Sequence, residues 1–430
     1  MRLTLADCAF PTRVVTEPNA SLTEPTQPLV SLCIPTFNRA RYLRCLLPLL
    51  VEELAEFPHA CEVVVSDNAS TDDTAAVLAE FAGRLPLRVF RHAVNRGPYA
   101  NLQFVLGQGQ GTFLVYLADD DMLAFAELAT LVDHLQAHPN ISAAYAPWLI
   151  HDLVDNRTLG AFYRQESDVL VRRGDHHALA DTILRLKAFP EISVVRREVW
   201  QALNRRPPAH AFWAFVFASA YVDRGDVLFS AKPFYVSISR YFAGPPRAQV
   251  GLEEVEASWD SYRGGLEAML ARATSQLSGE QHAALLAQIN PLIGQRLAVA
   301  LRLRVSRGRD PVDNYTLACR LKGLGHEKLL PMPLSAFALQ ASLGFLAQDH
   351  HLFPELPPLV CHPTVPSEAR QMLERLAPDR VSSFVPVEPL SGCVLVIGSS
   401  TACSADQIEQ WKSAGVRKVS LAEALARFPA

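Results

Sequence analysis

Four short apolar runs in the first third of the chain each end in a polar loop, and this pattern constrains the fold more than any other. They are LVSLCI (29–34), EVVVS (62–66), LRVF (87–90) and TFLVYL (112–117). The runs are continuous rather than alternating, as in strands buried on both faces. The stretches between them read as helices. Arg41–Leu54 is one, with Pro48 as a kink. A second begins near Asp73, with Thr71 or Asp72 placed to cap it. A third runs from Pro98, suited to a first helical position, to about Leu106. Pro35 is expected to stop the first strand. The order β-α-β-α-β-α-β predicts a mostly parallel sheet with helices on both faces and right-handed crossovers.

In such sheets ligands bind beyond the carboxyl ends of the strands. The loops there hold Thr36-Phe37-Asn38, Asp67-Asn68 and Asp119-Asp120-Asp121. Carboxylates one residue apart at a strand end can hold a hard cation, Mn²⁺ or Mg²⁺, and leave positions open for phosphate oxygens. A bare acidic triplet would be a solvated turn capping the next helix. Its place after a buried strand, facing two other polar loops, makes Asp119 and Asp121 candidate metal ligands instead.

The segments PLVSLCIPTFNRARYL, EVVVSDNASTDDT, NRGPYANLQFVL and FLVYLADDDML resemble, in order and spacing, the nucleotide-binding half of family 2 glycosyltransferases of the GT-A fold. Within that family the chain resembles bacterial enzymes that build O-antigen or capsule, including abequosyltransferase-like members. The resemblance covers residues 29–125 closely and 126–245 loosely. It implies a Rossmann-like GT-A domain and transfer from a nucleotide-sugar donor to a glycan or lipid-linked acceptor, metal-assisted and with inversion. It places Pro35, Thr36 and Asn38 at the nucleobase end and makes Asp67 an acceptor for the base. It brings Asn95, Arg96 and Gly97 near the donor, and matches Asp119 and Asp121, with Asp120 between them, to the family's DxD motif. Taken alone, Asp67 reads as an Asx turn or cap and Arg96 as a surface arginine.

Inverting transfer needs a base for the acceptor hydroxyl. The family's acidic pair has no counterpart in Pro208-Ala209-His210-Ala211-Phe212-Trp213. His210 and Glu191 are the two catalytic candidates; a lone histidine among apolar residues is more often simply packed. Trp213 reads as a sugar platform or as core.

The expected organisation is a loose leader over 1–28, the GT-A domain over 29–248, a mostly helical region over 249–352 and a small α/β unit over 353–430, after a Pro354–Pro358 hinge. Net charge is −4, so no global field draws the chain to nucleic acid. Eight scattered cysteines, without zinc-ligand spacing, read as buried thiols in a reducing compartment. No secretory signal is evident, and AFWAFVFASAYV (211–222) is too short to span a bilayer and reads as a core helix. The expected location is cytoplasmic, with peripheral contact at the inner face of the membrane and a homo-oligomer as open options. Arg296, Arg302, Arg304, Arg307 and Arg309 read as a solvated helix face or as a contact for anionic lipid. GQGQG (107–111) follows a helix, so it is not a dinucleotide fingerprint, and the single glycine of CVLVIGSS is weak as a phosphate loop. Two further readings stand beside transfer. One is a non-catalytic subunit binding nucleotide-sugar or glycan in a polysaccharide assembly complex. The other is a sugar-nucleotide pyrophosphorylase, disfavoured because PTFNRAR replaces the Gly-rich loop it needs.

Overall fold

A computed structural model describes residues 13–14, 27–203, 210–243, 256, 259–348, 357–383, 393–399 and 403–429. The chain forms two compact units, Met1–Gly251 with Asp260–Ile289, and Leu252–Trp259 with Asn290–Ala430. Most of the leader expected over 1–28 lies outside the described residues, as do Pro354 of the expected hinge and Pro208-Ala209.

The first unit opens with β1 (Arg13–Val14), β2 (Val30–Thr36), α1 (Ala40–Glu56), β3 (Cys61–Asp67), α2 (Thr74–Phe81), β4 (Leu87–Arg91), α3 (Pro98–Gln108) and β5 (Phe113–Tyr116). The continuous apolar runs make β4-β3-β2-β5 a parallel core, in which Leu32, Ile34, Val63, Val65 and Leu114 are fully buried. Inside the first strand, Pro35 does not stop the run; it pairs with Ser66. The Cys33 carbonyl accepts from Leu117 N–H at 3.0 Å, so Cys33 faces β5. Two residues on, Pro35 faces the same side, beyond Tyr116 where pairing with β5 has ended. Its missing N–H costs no ladder bond there.

The unit continues with β6 (Met122–Leu123), α4 (Phe125–Ala137), β7 (Ile141–Tyr145), β8 (Trp148–Asp152), β9 (Arg157–Ala161), β10 (Val169–Val171) and α5 (His176–Leu186). Then follow β11 (Ser193–Arg196), α6 (Arg197–Gln201), α7 (Trp213–Arg224), β12 (Asp226–Phe229), β13 (Tyr235–Arg240) and α8 (Trp259–Ala273). Among the described residues the main sheet has the order β1-β4-β3-β2-β5-β11-β7-β12-β10, and β6-β13-β8-β9 form a second sheet. The apolar run at 211–222 is the core helix α7, with Ala214, Phe215, Ala218 and Val222 buried.

The GQGQG loop has a structural role at the end of the sheet away from the candidate site. A Cβ on Gly111 would lie 2.8 Å from the Ser31 backbone nitrogen, and one on Gly109 2.4 Å from Leu114. Beneath it, Glu62 accepts from Ser31 Oγ at 2.6 Å, Gln110 N–H at 2.5 Å and Arg88 at 2.8 Å. Glu62→Ala strands the Ser31 hydroxyl and the Gln110 N–H and leaves Arg88, only 23% exposed, with the Gln108 carbonyl. We expect a stability loss of about 2–4 kcal/mol in urea unfolding at unchanged m. A loss below about 0.5 kcal/mol would mean that the network is incidental.

The second unit contains α9 (Gly279–Ser306) from Asn290 onward, α10 (Pro311–Gly323), α11 (Leu334–Gln348), β14 (Leu359–Cys361), α12 (Ser367–Leu376), β15 (Val381–Ser383), β16 (Val394–Ile397), α13 (Ala405–Ser413), β17 (Arg417–Ser420) and α14 (Leu421–Leu425). The four strands are parallel, in the order β15-β14-β16-β17. Leu343 and Leu346 of α11 share one core with Leu359, Leu373, Val394 and Val396. Gly398 in CVLVIGSS sits where a Cβ would come within 2.0 Å of the Thr364 carbonyl oxygen, which is a packing reason for the glycine. The arginine run is largely paired within this unit. Arg304 meets Asp313, and Arg307 and Arg309 both meet the buried Glu256. That geometry favours the ion-paired helix over a free basic face. By length and composition α9 could cross a membrane; half of its most apolar window is buried inside the protein.

Candidate active site

The loops after β2, β3, β4 and β5 meet at one edge of the parallel core, and their side chains bind each other. After β2, Asn38 has φ 53°, a left-handed conformation that asparagine tolerates. Its N–H donates to Ser70 Oγ at 2.8 Å and its side-chain oxygen accepts from Thr71 N–H at 2.8 Å. Arg39 N–H donates to Thr74 Oγ1 at 3.2 Å, and Ala40 N–H to Asp72 at 3.1 Å. Asp72 also accepts from Thr74 N–H at 3.0 Å, so one carboxylate serves the starts of both α1 and α2.

Asp67 ends β3 and is 1% exposed. One oxygen accepts from Ser70 N–H at 2.8 Å, closing an Asx turn. The other is buried without a hydrogen-bond donor and lies 3.5 Å from Arg91 Nε. The residue therefore makes the turn and still has an acceptor to offer. Asn68 beside it binds the Asn95-Arg96-Gly97 loop. Gly97 (φ 85°) supplies the backbone turn before Pro98 opens α3. Asn101, also buried, ties α3 to the strand ends through Ser66 and the Thr36 carbonyl.

The three aspartates follow β5 and are each 7–8% exposed. Asp119 accepts from Thr36 Oγ1 at 2.6 Å. Arg39 lies 3.8 Å from Asp119 and 4.0 Å from Asp120. Asp121 accepts from the Tyr235 hydroxyl at 2.9 Å and from Ile238 N–H at 2.8 Å, both on β13. Burial pushes Asp119 up to about 8; Asp120 adds to this, while the Thr36 hydroxyl and Arg39 oppose it. Burial, reinforced by Asp121, also raises Tyr235 well above the ordinary phenol range, so it remains a hydroxyl donor. Three buried aspartates, two of them within 4.0 Å of a single guanidinium, suit a divalent cation by charge. No group of three His, Cys, Asp or Glu side chains among the described residues forms a cage. Asp119 and Asp121 are the carboxylates that could hold a cation, with phosphate and water oxygens supplying the rest of its ligands.

A pocket beside the aspartates is lined by Tyr116, Asp121, Trp148, Glu191, Ile192, Tyr235 and Ser237. Of the two base candidates it includes Glu191. His210 is exposed on the turn before α7, its carbonyl oxygen against Gly264 of α8. Trp213 packs among Tyr99, Phe212 and Phe217. Asn38, Asn95, Arg96 and Gly97 fall on the converging loops, and Pro35, Thr36 and Asp67 on the strand ends that carry them. Arg39, Asn101 and Tyr235 carry site contacts without having been singled out in the sequence, and Asn68 was placed in a site loop without a role. Arg39 and Asn68 adjoin residues that were singled out; Tyr235 carried no signal of its own.

The family model described as Glycosyl transferase family 2 matches residues 31–190, the stretch that builds these loops. Over those residues the chain is similar to family 2 glycosyltransferases. Abequosyltransferase RfbV of Salmonella typhimurium is 34% identical over 184 residues, 41% of this chain and 55% of that protein. The chain thus matches about half the length of that relative. The poly(ribitol-phosphate) beta-N-acetylglucosaminyltransferase TarS of Staphylococcus aureus is 33% identical over 95 residues, 22% of this chain and 16% of that one. The crystal structure of TarS residues 1–349 with UDP-GlcNAc aligns with a TM-score of 0.46 at 18% identity, over 70% of this chain and 89% of that one. In the first unit the parallel strand ends carry the polar loops, and the pocket with Glu191 lies beside them.

Proposed function

We propose that the chain transfers a sugar from a nucleotide-sugar donor to a hydroxyl of a glycan or lipid-linked acceptor, with inversion, in the synthesis of a surface polysaccharide of the O-antigen or capsule type. The observation carrying this reading is that Glu191 and Asp121 line one pocket, next to the loops of the family-like stretch. The family relatives named above, an abequosyl- and an N-acetylglucosaminyltransferase by name, support the reaction class.

In this reading Thr36, Asn38 and Asp67 hold the nucleoside, with the Asp67 oxygen that lies beside Arg91 and has no hydrogen-bond donor accepting from the base. Arg96 and Arg39 meet the diphosphate. Mn²⁺ or Mg²⁺ held by Asp119 and Asp121 would neutralise charge on the departing nucleoside diphosphate. Tyr235 and the Ile238 N–H fix the Asp121 carboxylate. Glu191 takes the proton of the acceptor hydroxyl as its oxygen bonds to the anomeric carbon and the bond to the diphosphate oxygen breaks. The reading as a non-catalytic binding subunit arose from the lack of a carboxylate near His210. A carboxylate in the pocket from elsewhere in the chain removes that motive.

Thermal unfolding with UDP, GDP, CDP or dTDP, each with and without Mn²⁺, tests the donor half. One nucleotide at about 100 times its Kd should add about 2.7 kcal/mol, and more with the cation than without. Silence from all four in the presence of Mn²⁺ would overturn the donor-site assignment.

A further inference from the structure

We propose that Asn68 is a positioning residue, whose buried amide fixes the Asn95–Gly97 loop so that Arg96 stands ready for the donor's diphosphate. The proposal rests on the reading of Arg96 as a diphosphate contact. Asn68 is 2% exposed and sits one residue beyond the end of β3. Its amide nitrogen donates to Asn95 Oδ1 at 3.0 Å and to the Gly97 carbonyl at 3.2 Å. Its amide oxygen accepts from the Arg96 backbone N–H at 2.8 Å. One side chain therefore engages all three residues of the loop. Asn95 Oδ1 also accepts from Gly97 N–H at 2.8 Å, which closes the loop on itself.

The geometry needs an amide. Donor and acceptor are both used, and an aliphatic or hydroxyl side chain could supply neither pair at this reach. What the clamp presents is also unusual. Arg96 Nε is buried and has no hydrogen-bond partner among the described residues. Buried polar groups are nearly always satisfied, so a buried guanidinium N–H left open marks a place for an outside acceptor. A phosphate oxygen is such an acceptor, and arginine is suited to it by charge and geometry.

The test is a double-mutant cycle read as the Kd of whichever nucleoside diphosphate of UDP, GDP, CDP and dTDP binds the wild type with Mn²⁺. Arg96→Ala is expected to weaken binding about tenfold and Asn68→Ala about fivefold. On the Arg96→Ala background, Asn68→Ala should change the Kd less than twofold, because the clamp then holds nothing that binds. Equal losses on both backgrounds would overturn the proposal and make Asn68 a general fold residue. An unchanged Kd in Arg96→Ala alone would instead remove the reading of Arg96, and the clamp's purpose with it. Should Asn68→Ala fail to fold, the exposed Asn95→Ala removes the Asn68–Asn95 bond and the bond that closes the loop on Gly97, and must show the same background dependence.

Discussion

Glu191→Gln is expected to lower kcat for sugar transfer by about 10²–10⁴-fold and to leave nucleotide binding within about twofold. The substitution keeps size and polarity but cannot take a proton. Glu191 shares its pocket with Asp121, Trp148 and Ser237, and it is absent from the loops that hold Thr36, Asn38 and Asp67. A base acts on the acceptor, so its loss should appear in the chemical step and not in donor affinity. His210→Ala, made in parallel, should retain more than about half of the activity, since that side chain is exposed. The assignment falls if Glu191→Gln turns over normally, and the roles exchange if only His210→Ala is inactive.

Asp121→Ala is expected to lower transfer at least about 10²-fold and to abolish any stimulation by Mn²⁺ or Mg²⁺. Two effects combine. A candidate ligand is removed from a cluster whose other member, Asp119, is already pushed up to about 8 by burial. The Tyr235 hydroxyl and the Ile238 N–H also lose their acceptor. Tyr235→Phe separates the two, because it keeps the carboxylate and removes one of its supports. It should cost about tenfold or less, with metal stimulation retained. Full activity and unchanged metal response in Asp121→Ala would sink the metal assignment. Equal damage in both variants would point to a structural role for the carboxylate.

The parallel half of the sheet was legible because its strands are buried on both faces and need unbroken apolar runs. The mixed half was not. Ser193–Arg196 lies between β5 and β7, and nothing local to four residues encodes which distant strands they join. Pro35 misled for a related reason. A proline ends a strand only where its N–H is wanted, and that depends on how far the neighbouring strand extends. The aspartate run was legible at the site because carboxylates at a strand end are unusual in themselves. Tyr235 was not, since its contact with Asp121 spans 114 residues of chain. Asn68 stood in a ligand-facing loop without a role of its own, because its partners belong to the loop after the next strand.

The stitching of the β2 loop to the β3 loop bears on how the site selects a base. Asn38, Arg39 and Ala40 each donate a backbone N–H to a side chain of the neighbouring segment, and Asn38 accepts one in return. The two loops are thereby tied to one another by four hydrogen bonds. In the proposed reading a nucleoside at this edge meets both loops as one joined surface. Discrimination among bases should then follow from fit to that surface, and changing that preference would require altering both loops together.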